Sequence, residues 1–167
     1  MTSDNKVALI IAGIGTATWL YEYVKQLRWT RDKYLVERVD AFKAKQSTKQ
    51  MQLMLDWNDN YIKINGKSER VNDKILFEAL QTHDVKDRFS DLEYELRKIF
   101  DDYFDGLNEF VMLCDTGLIN QKHLRIYFNY WFRILNGESK TKPARLIEQI
   151  KRYLLYYGWN DLYFFIK

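Results

Sequence analysis

"SDLEYELRKIFDDYFDGLNEFVMLC", residues 90–114, carries the pattern that decides the fold class. Leu92, Leu96, Ile99, Tyr103, Leu107, Phe110 and Cys114 return at steps of three and four, the period of one face of an α-helix. Asp91, Glu93, Glu95, Asp101, Asp102, Asp105 and Glu109 fall on the remaining, acidic face. Ser90 followed by Glu93 is a capping box, and Gly117 supplies a stop. The spacing therefore predicts an amphipathic helix of about seven turns. Its apolar stripe needs other helices to cover it.

Those partners are visible on both sides. Asn120 opens "QKHLRIYFNYWFRIL", in which Leu124, Tyr127, Phe128, Trp131 and Leu135 form a stripe that Asn136-Gly137 ends. Pro143 sits in the first turn of a further helix with Leu146, Ile150, Tyr153, Leu154 and Tyr157, closed by Gly158, and Asn160 caps a last short one. Upstream, Ser47 or Thr48 caps a helix carrying Met51, Met54 and Leu55, and Asn72 or Asp73 caps one carrying Ile75, Leu76, Ala79 and Leu80. Between these two lies "YIKINGKSERV". Its Asn65-Gly66 between extended segments is the strongest short signal for a β-hairpin. The expected fold is all-α, a helical bundle with a long amino-terminal helix and one short β-hairpin near residues 61–71.

Composition bounds the function classes. A net charge of +3 over 167 residues is too mild by itself to argue for a nucleic-acid binder, and the 16% aromatic content suits bulky helical cores. Cys114, the single cysteine, cannot form an internal disulfide, which points to a reducing compartment.

The opening stretch, "VALIIAGIGTATWLYEYVKQLRWTRDK" from residue 7 to residue 33, begins without charge and ends densely basic. As a helix, residues 7–24 span about 27 Å, against a bilayer hydrocarbon core of about 30 Å. Trp19, Tyr21 and Tyr23 stand where an interfacial aromatic belt would lie, with Lys25, Arg28 and Arg31 beyond them. The run reads as a transmembrane anchor. A secretory signal and a buried soluble helix are the competing readings; a dinucleotide loop fails because Thr18 replaces the third glycine. Lys25, Arg28, Arg31, Lys33 and Arg38 follow the apolar run and only Lys6 precedes it, so the positive-inside bias places the amino terminus outside and the remainder in the cytoplasm. Ala8, Ala12, Gly13, Thr16 and Ala17 offer small-residue spacing for helix packing within the membrane. The expected layout is an anchor over residues 1–24, a basic juxtamembrane stalk over 25–46 and a cytoplasmic helical domain over 47–167. The stalk's basic surplus would attract anionic headgroups.

Residues for catalysis are scarce. Asp101, Asp105 and Glu109 share a helical face and invite a cation, yet Tyr103 and Met112 stand where a calcium loop needs oxygen ligands. Cys114 and His123 suggest a nucleophile and base, but Cys114 lies on the apolar stripe. Aromatics interleaved with Arg125, Arg133, Lys151 and Arg152 match a single-strand stacking surface in composition only, because most of these rings fall at core spacing. Tyr130, Tyr156 and Tyr163, together with Asp101, Asp105 and Glu109, are the candidate partner surface. No catalytic residue, metal, cofactor, nucleic acid or small-molecule ligand is expected.

The order of apolar helix, basic stalk, "MLDW" turn and "FDGLNEFVMLCDTGLINQKHLRIYFNYWFRIL" resembles a group of uncharacterised bacterial proteins in which one membrane helix precedes a small helical domain of unknown function. That likeness implies the layout and no reaction. The function expected is a membrane-anchored, non-enzymatic adaptor or accessory subunit, with membrane lipid and another protein, or a second copy through the first helix, as partners. The alternatives are a self-associating membrane effector and a soluble helical binding domain whose first helix is buried in a partner.

Overall fold

A computed structural model describes the backbone of residues 3–167 and the side chains of residues 15–167. Among the described residues seven helices and one hairpin follow in the order α1 Ser3–Ala44, α2 Gln46–Asp56, β1 Asp59–Ile64, β2 Lys67–Asn72, α3 Asp73–Ala79, α4 Asp91–Asp115, α5 Gln121–Asn136, α6 Ala144–Tyr156 and α7 Asn160–Ile166. The chain divides into two compact units, Met1–Glu37 and Arg38–Lys167. The expected all-α bundle with one hairpin is what the chain forms.

In the first unit α1 is unbroken helix. Trp19, Leu20, Tyr21, Tyr23, Val24, Leu27 and Trp29 are exposed, and Trp19 stacks on Tyr23 one turn away with ring centroids 5.5 Å apart. Thr16 and Ala17 are exposed; Ala8, Ala12 and Gly13 lie outside the residues whose side chains are described. Among the described residues no helix is long and apolar enough to cross a membrane. The apolar run proposed as an anchor begins at Val7, so much of it falls outside those residues too.

The second unit is organised by α4, against which α2, α3, α5 and α7 pack. Leu96, Phe100, Tyr103, Phe104, Leu107, Phe110 and Val111 are buried along it. Its capping box forms in full: the Glu93 amide donates to the Ser90 hydroxyl over 3.3 Å, and the Ser90 amide donates to the Glu93 carboxylate over 2.8 Å. Phe42, near the end of α1, packs its ring 5.5 Å from Tyr103, 5.6 Å from Phe110 and 5.7 Å from Phe128. Gly106 makes that possible. A Cβ on Gly106 would overlap the Phe42 ring.

The hairpin pairs β1 with β2 antiparallel, Ile64 opposite Lys67, around a two-residue loop. Asn65 and Gly66 have φ of 50° and 80°, both in the left-handed region, as a turn that matches strand twist requires. Ile62, Ile64 and Val71 turn inward. Two isolated strands would be marginal in water. Here Gln50 donates to the Lys63 carbonyl over 2.7 Å and Asn60 to the Leu53 carbonyl over 2.8 Å, which ties β1 to α2.

Three caps differ from expectation. Helix α2 starts at Gln46 straight after the break at Lys45, and Ser47 does not cap it. The Ser47 hydroxyl donates instead to Asp102, and Thr48 is buried. Pro143 is the N-cap of α6 rather than part of its first turn, and Trp159, not Asn160, caps α7.

Two substitutions test the packing of α4. Alanine gains about 1 kcal/mol of helix propensity over glycine, but overpacking a filled core costs about 1–3 kcal/mol. Gly106→Ala is therefore expected to lower the chemical-denaturation midpoint; an unchanged midpoint would show that Phe42 yields freely. The Tyr103 hydroxyl is fully buried with no hydrogen-bond partner among the described residues, and burial pushes its pKa up. An unmet buried hydroxyl costs on the order of 1–3 kcal/mol, so Tyr103→Phe is expected to raise the same midpoint.

Candidate functional site

The acidic face of α4 is the first feature to place, because it held the candidate cation and partner residues. The Tyr153 hydroxyl of α6 donates to Asp101 Oδ1 over 2.6 Å. Trp159 Nε1 donates to Asp105 Oδ1 over 2.8 Å, and the Leu162 amide of α7 to Asn108 Oδ1 over 3.2 Å. Lys45 Nζ lies 3.1 Å from Asp102, and Arg38 pairs with Glu109. The face is thus a rack on which neighbouring elements of the same domain hang. Among the described residues no group of three or more His, Cys, Asp or Glu is placed to hold a metal ion.

Electrostatics follow the partners. Burial raises the Asp101 pKa, with the Tyr153 hydroxyl and the Arg97 charge opposing it. Burial also acts on Asp102, but Ser47 and Lys45 outweigh it and hold the carboxyl below its ordinary range. Cys114 is half-buried, and burial together with Asp115 pushes its thiol up. That is the opposite of what activates a nucleophile.

Two buried cations escape a reading of the sequence. Arg97 donates from one guanidinium nitrogen to the Ala79 and Gln81 carbonyls, both over 2.8 Å, and from another to the Tyr157 hydroxyl over 2.6 Å. Its guanidinium carbon lies 4.3 Å from the centre of the Phe89 ring and 5.0 Å from that of Tyr153. Gln149 donates to the Leu80 carbonyl over 2.7 Å. Together they satisfy the carbonyls left over at the end of α3, where positive charge suits the helix dipole. The Lys142 side chain is wholly buried; its Nζ donates to the Trp57 carbonyl over 2.6 Å and to Asp73 Oδ1 over 2.5 Å. Both are structural clasps. Nothing in their neighbours' periodicity singles them out, since Arg97 simply follows Leu96 on the stripe and Lys142 lies in a loop.

The surface left over is of two kinds. One is a groove of about 390 Å³ lined by Lys49, Gln52, Leu53 and Asp56 of α2 and by Trp131 of α5. Trp57 and Tyr130 are exposed near these residues in the chain, and the Tyr130 hydroxyl donates to Asp56. Of the other expected partner tyrosines, Tyr156 is exposed, whereas Tyr163 is half-buried with Lys167 Nζ 4.4 Å from its ring centre. The second is the exposed series of rings on α1, followed by Lys25, Arg28, Arg31 and Lys33, all exposed.

Fold and surface together define a small helical domain whose buried polar groups serve its own assembly and whose aromatic surplus faces outward. No family model, curated protein or solved structure matches the chain. The likeness to bacterial membrane-anchored proteins therefore rests on the quoted residues alone.

Replacing Lys142 tests the reading of that residue as a clasp. Removing one member of a buried ion pair leaves the other uncompensated, at a cost of about 3–5 kcal/mol, the lower end applying here because Asp73 keeps some contact with solvent. Lys142→Met should lower the urea midpoint accordingly; an unaltered midpoint would contradict the assignment.

Proposed function

We propose that the chain is a membrane-tethered, non-enzymatic adaptor. In this reading residues 1–24 anchor it, residues 25–46 form a basic stalk, and the helical domain engages a protein partner on the cytoplasmic side. The observation that carries the proposal is the order of residue types along α1. Apolar residues come first, then Trp19, Tyr21 and Tyr23, then Lys25, Arg28, Arg31 and Lys33.

The sorting runs along the axis and not around it. At about 100° per residue, Trp19 and Tyr21 project to opposite sides, and so do Arg31 and Lys33. A helix lying flat in the interface would gather its rings on one side and its charges on the other. A helix passing through the interface end-on meets hydrocarbon, headgroups and water in succession, which is the sequence of environments these residues suit. Exposed rings on this scale also mark an interaction surface in general.

A second reading packs the same exposed rings into a partner protein, as exposed apolar surface of this kind also allows. Alkaline carbonate extraction separates the two. Tethered protein should stay with the membrane pellet until detergent is added. Release into the supernatant by carbonate alone would sink the tether and support the partner-bound helix.

A further inference from the structure

We propose that Lys25, Arg28, Arg31 and Lys33 form a collar that binds anionic phospholipid headgroups, so that the tether selects an anionic leaflet; this rests on the tether reading above. Between residues 25 and 50 there are eight basic residues and three acidic ones, and tertiary structure divides the basic residues into two sets. In the second unit Arg38 pairs with Glu109 and Lys45 with Asp102, while Lys43 lies over the Tyr127 and Phe128 rings, 5.6 and 5.8 Å from their centres. Lys49 lines the α2–α5 groove. Arg38, Lys43 and Lys45 are engaged by the domain itself, whereas Lys49 stands exposed on α2.

The other four belong to the first unit and are exposed, and the ion pairs of Lys25 and Lys33 there are loose. Lys25 lies 3.9 Å from Glu22 and Lys33 lies 3.8 Å from Glu37, with each of these side chains more than half exposed. Exposed pairs of this kind contribute little and exchange readily for a better acceptor. A phosphodiester is that acceptor: guanidinium groups bind phosphate oxygens through two parallel hydrogen bonds, and lysine binds them as a point charge.

Position along the helix agrees. From Tyr23 to Lys25 is about 3 Å of rise, and from Tyr23 to Lys33 about 15 Å. With the tyrosines at the hydrocarbon edge, a headgroup layer of roughly 5–8 Å takes in Lys25 and Arg28. Arg31 and Lys33 then stand just beyond it, within a Debye length of about 8 Å, where surface potential still acts. Lys33 Nζ lies 5.5 Å from the centre of the Trp29 ring, which holds the ammonium back toward the membrane side of its own position. Because the four project to different sides of the helix, they would contact several lipids rather than one.

The test uses the full chain, delivered from detergent and floated with vesicles of phosphatidylcholine alone or of an equal mixture of phosphatidylcholine and phosphatidylglycerol. Each basic residue near an anionic surface contributes about a fivefold gain in binding, so four should favour the mixed vesicles by about a hundredfold once screening is allowed for. The variant carrying Lys25→Gln, Arg28→Gln, Arg31→Gln and Lys33→Gln should lose that preference and still float with both vesicle types. Glutamine is a good helix former, and unchanged circular dichroism would confirm the helix. Replacing the exposed Lys67, Lys122 and Lys140 with glutamine should leave the preference intact. Equal flotation of the unaltered chain with both vesicles, or a preference that survives in the collar variant, overturns the headgroup assignment and leaves the tether standing. Failure to float with either vesicle overturns the tether as well.

Discussion

The polar edge of α4 is the constraint on which the rest of the domain depends. Asp101, Asp105 and Asn108 accept hydrogen bonds from Tyr153, Trp159 and the Leu162 backbone, so a single helix sets the positions of both α6 and α7. On the same helix Asp102 and Glu109 receive Lys45, Ser47 and Arg38 from the end of α1 and the start of α2. Apolar contact alone tolerates sliding, because a stripe of Leu and Phe accepts neighbours in more than one register. Directional bonds at fixed steps along the helix remove that freedom.

A second consequence concerns α3. Seven residues are too few to hold a helix by themselves, and this one is fastened at both ends. Asn72 accepts from the Lys74 and Ile75 amides at its start, where Lys142 also grips Asp73. Arg97 and Gln149 take the carbonyls at its finish. Charge that would be costly to bury alone is thereby matched to backbone groups that water no longer reaches. The buried cations are bound to the domain's own backbone and side chains.

With Asp101, Asp102, Asp105 and Glu109 of α4 bonded to other elements, the candidate surfaces left are the aromatic groove and the aromatic and basic stretch of α1. The α2–α5 groove is lined by Trp131, and the exposed Tyr130 bonds its Asp56; both are residue types that anchor protein interfaces. On α1 the exposed rings and the basic residues follow one another along the axis, an order that suits a boundary between media better than a flat docking face. The proposed adaptor role would give both surfaces a use.

The sequence by itself determined the number and type of elements. Leu92 to Cys114 announced α4 through period alone, Ser90 and Glu93 announced its start, and Asn65-Gly66 announced the hairpin, because each signal is local and acts through a few neighbouring dihedrals or one capping bond. The roles of polar residues were not legible in this way. Asp101, Asp105 and Glu109 looked like one open acidic face, and only the fold brought Tyr153, Trp159 and Arg38 to them from positions 52, 54 and 71 residues away. Ser47 is a sound cap by its chemistry, yet Asp102 claims it from 55 residues off. Arg97 and Lys142 carried no signal, since a buried cation is recognised only by the carbonyls and carboxylates that surround it. Propensity and period belong to short stretches of chain; the partner of a charge is decided by whatever packing delivers within about 3 Å of it, and that is a property of the tertiary structure.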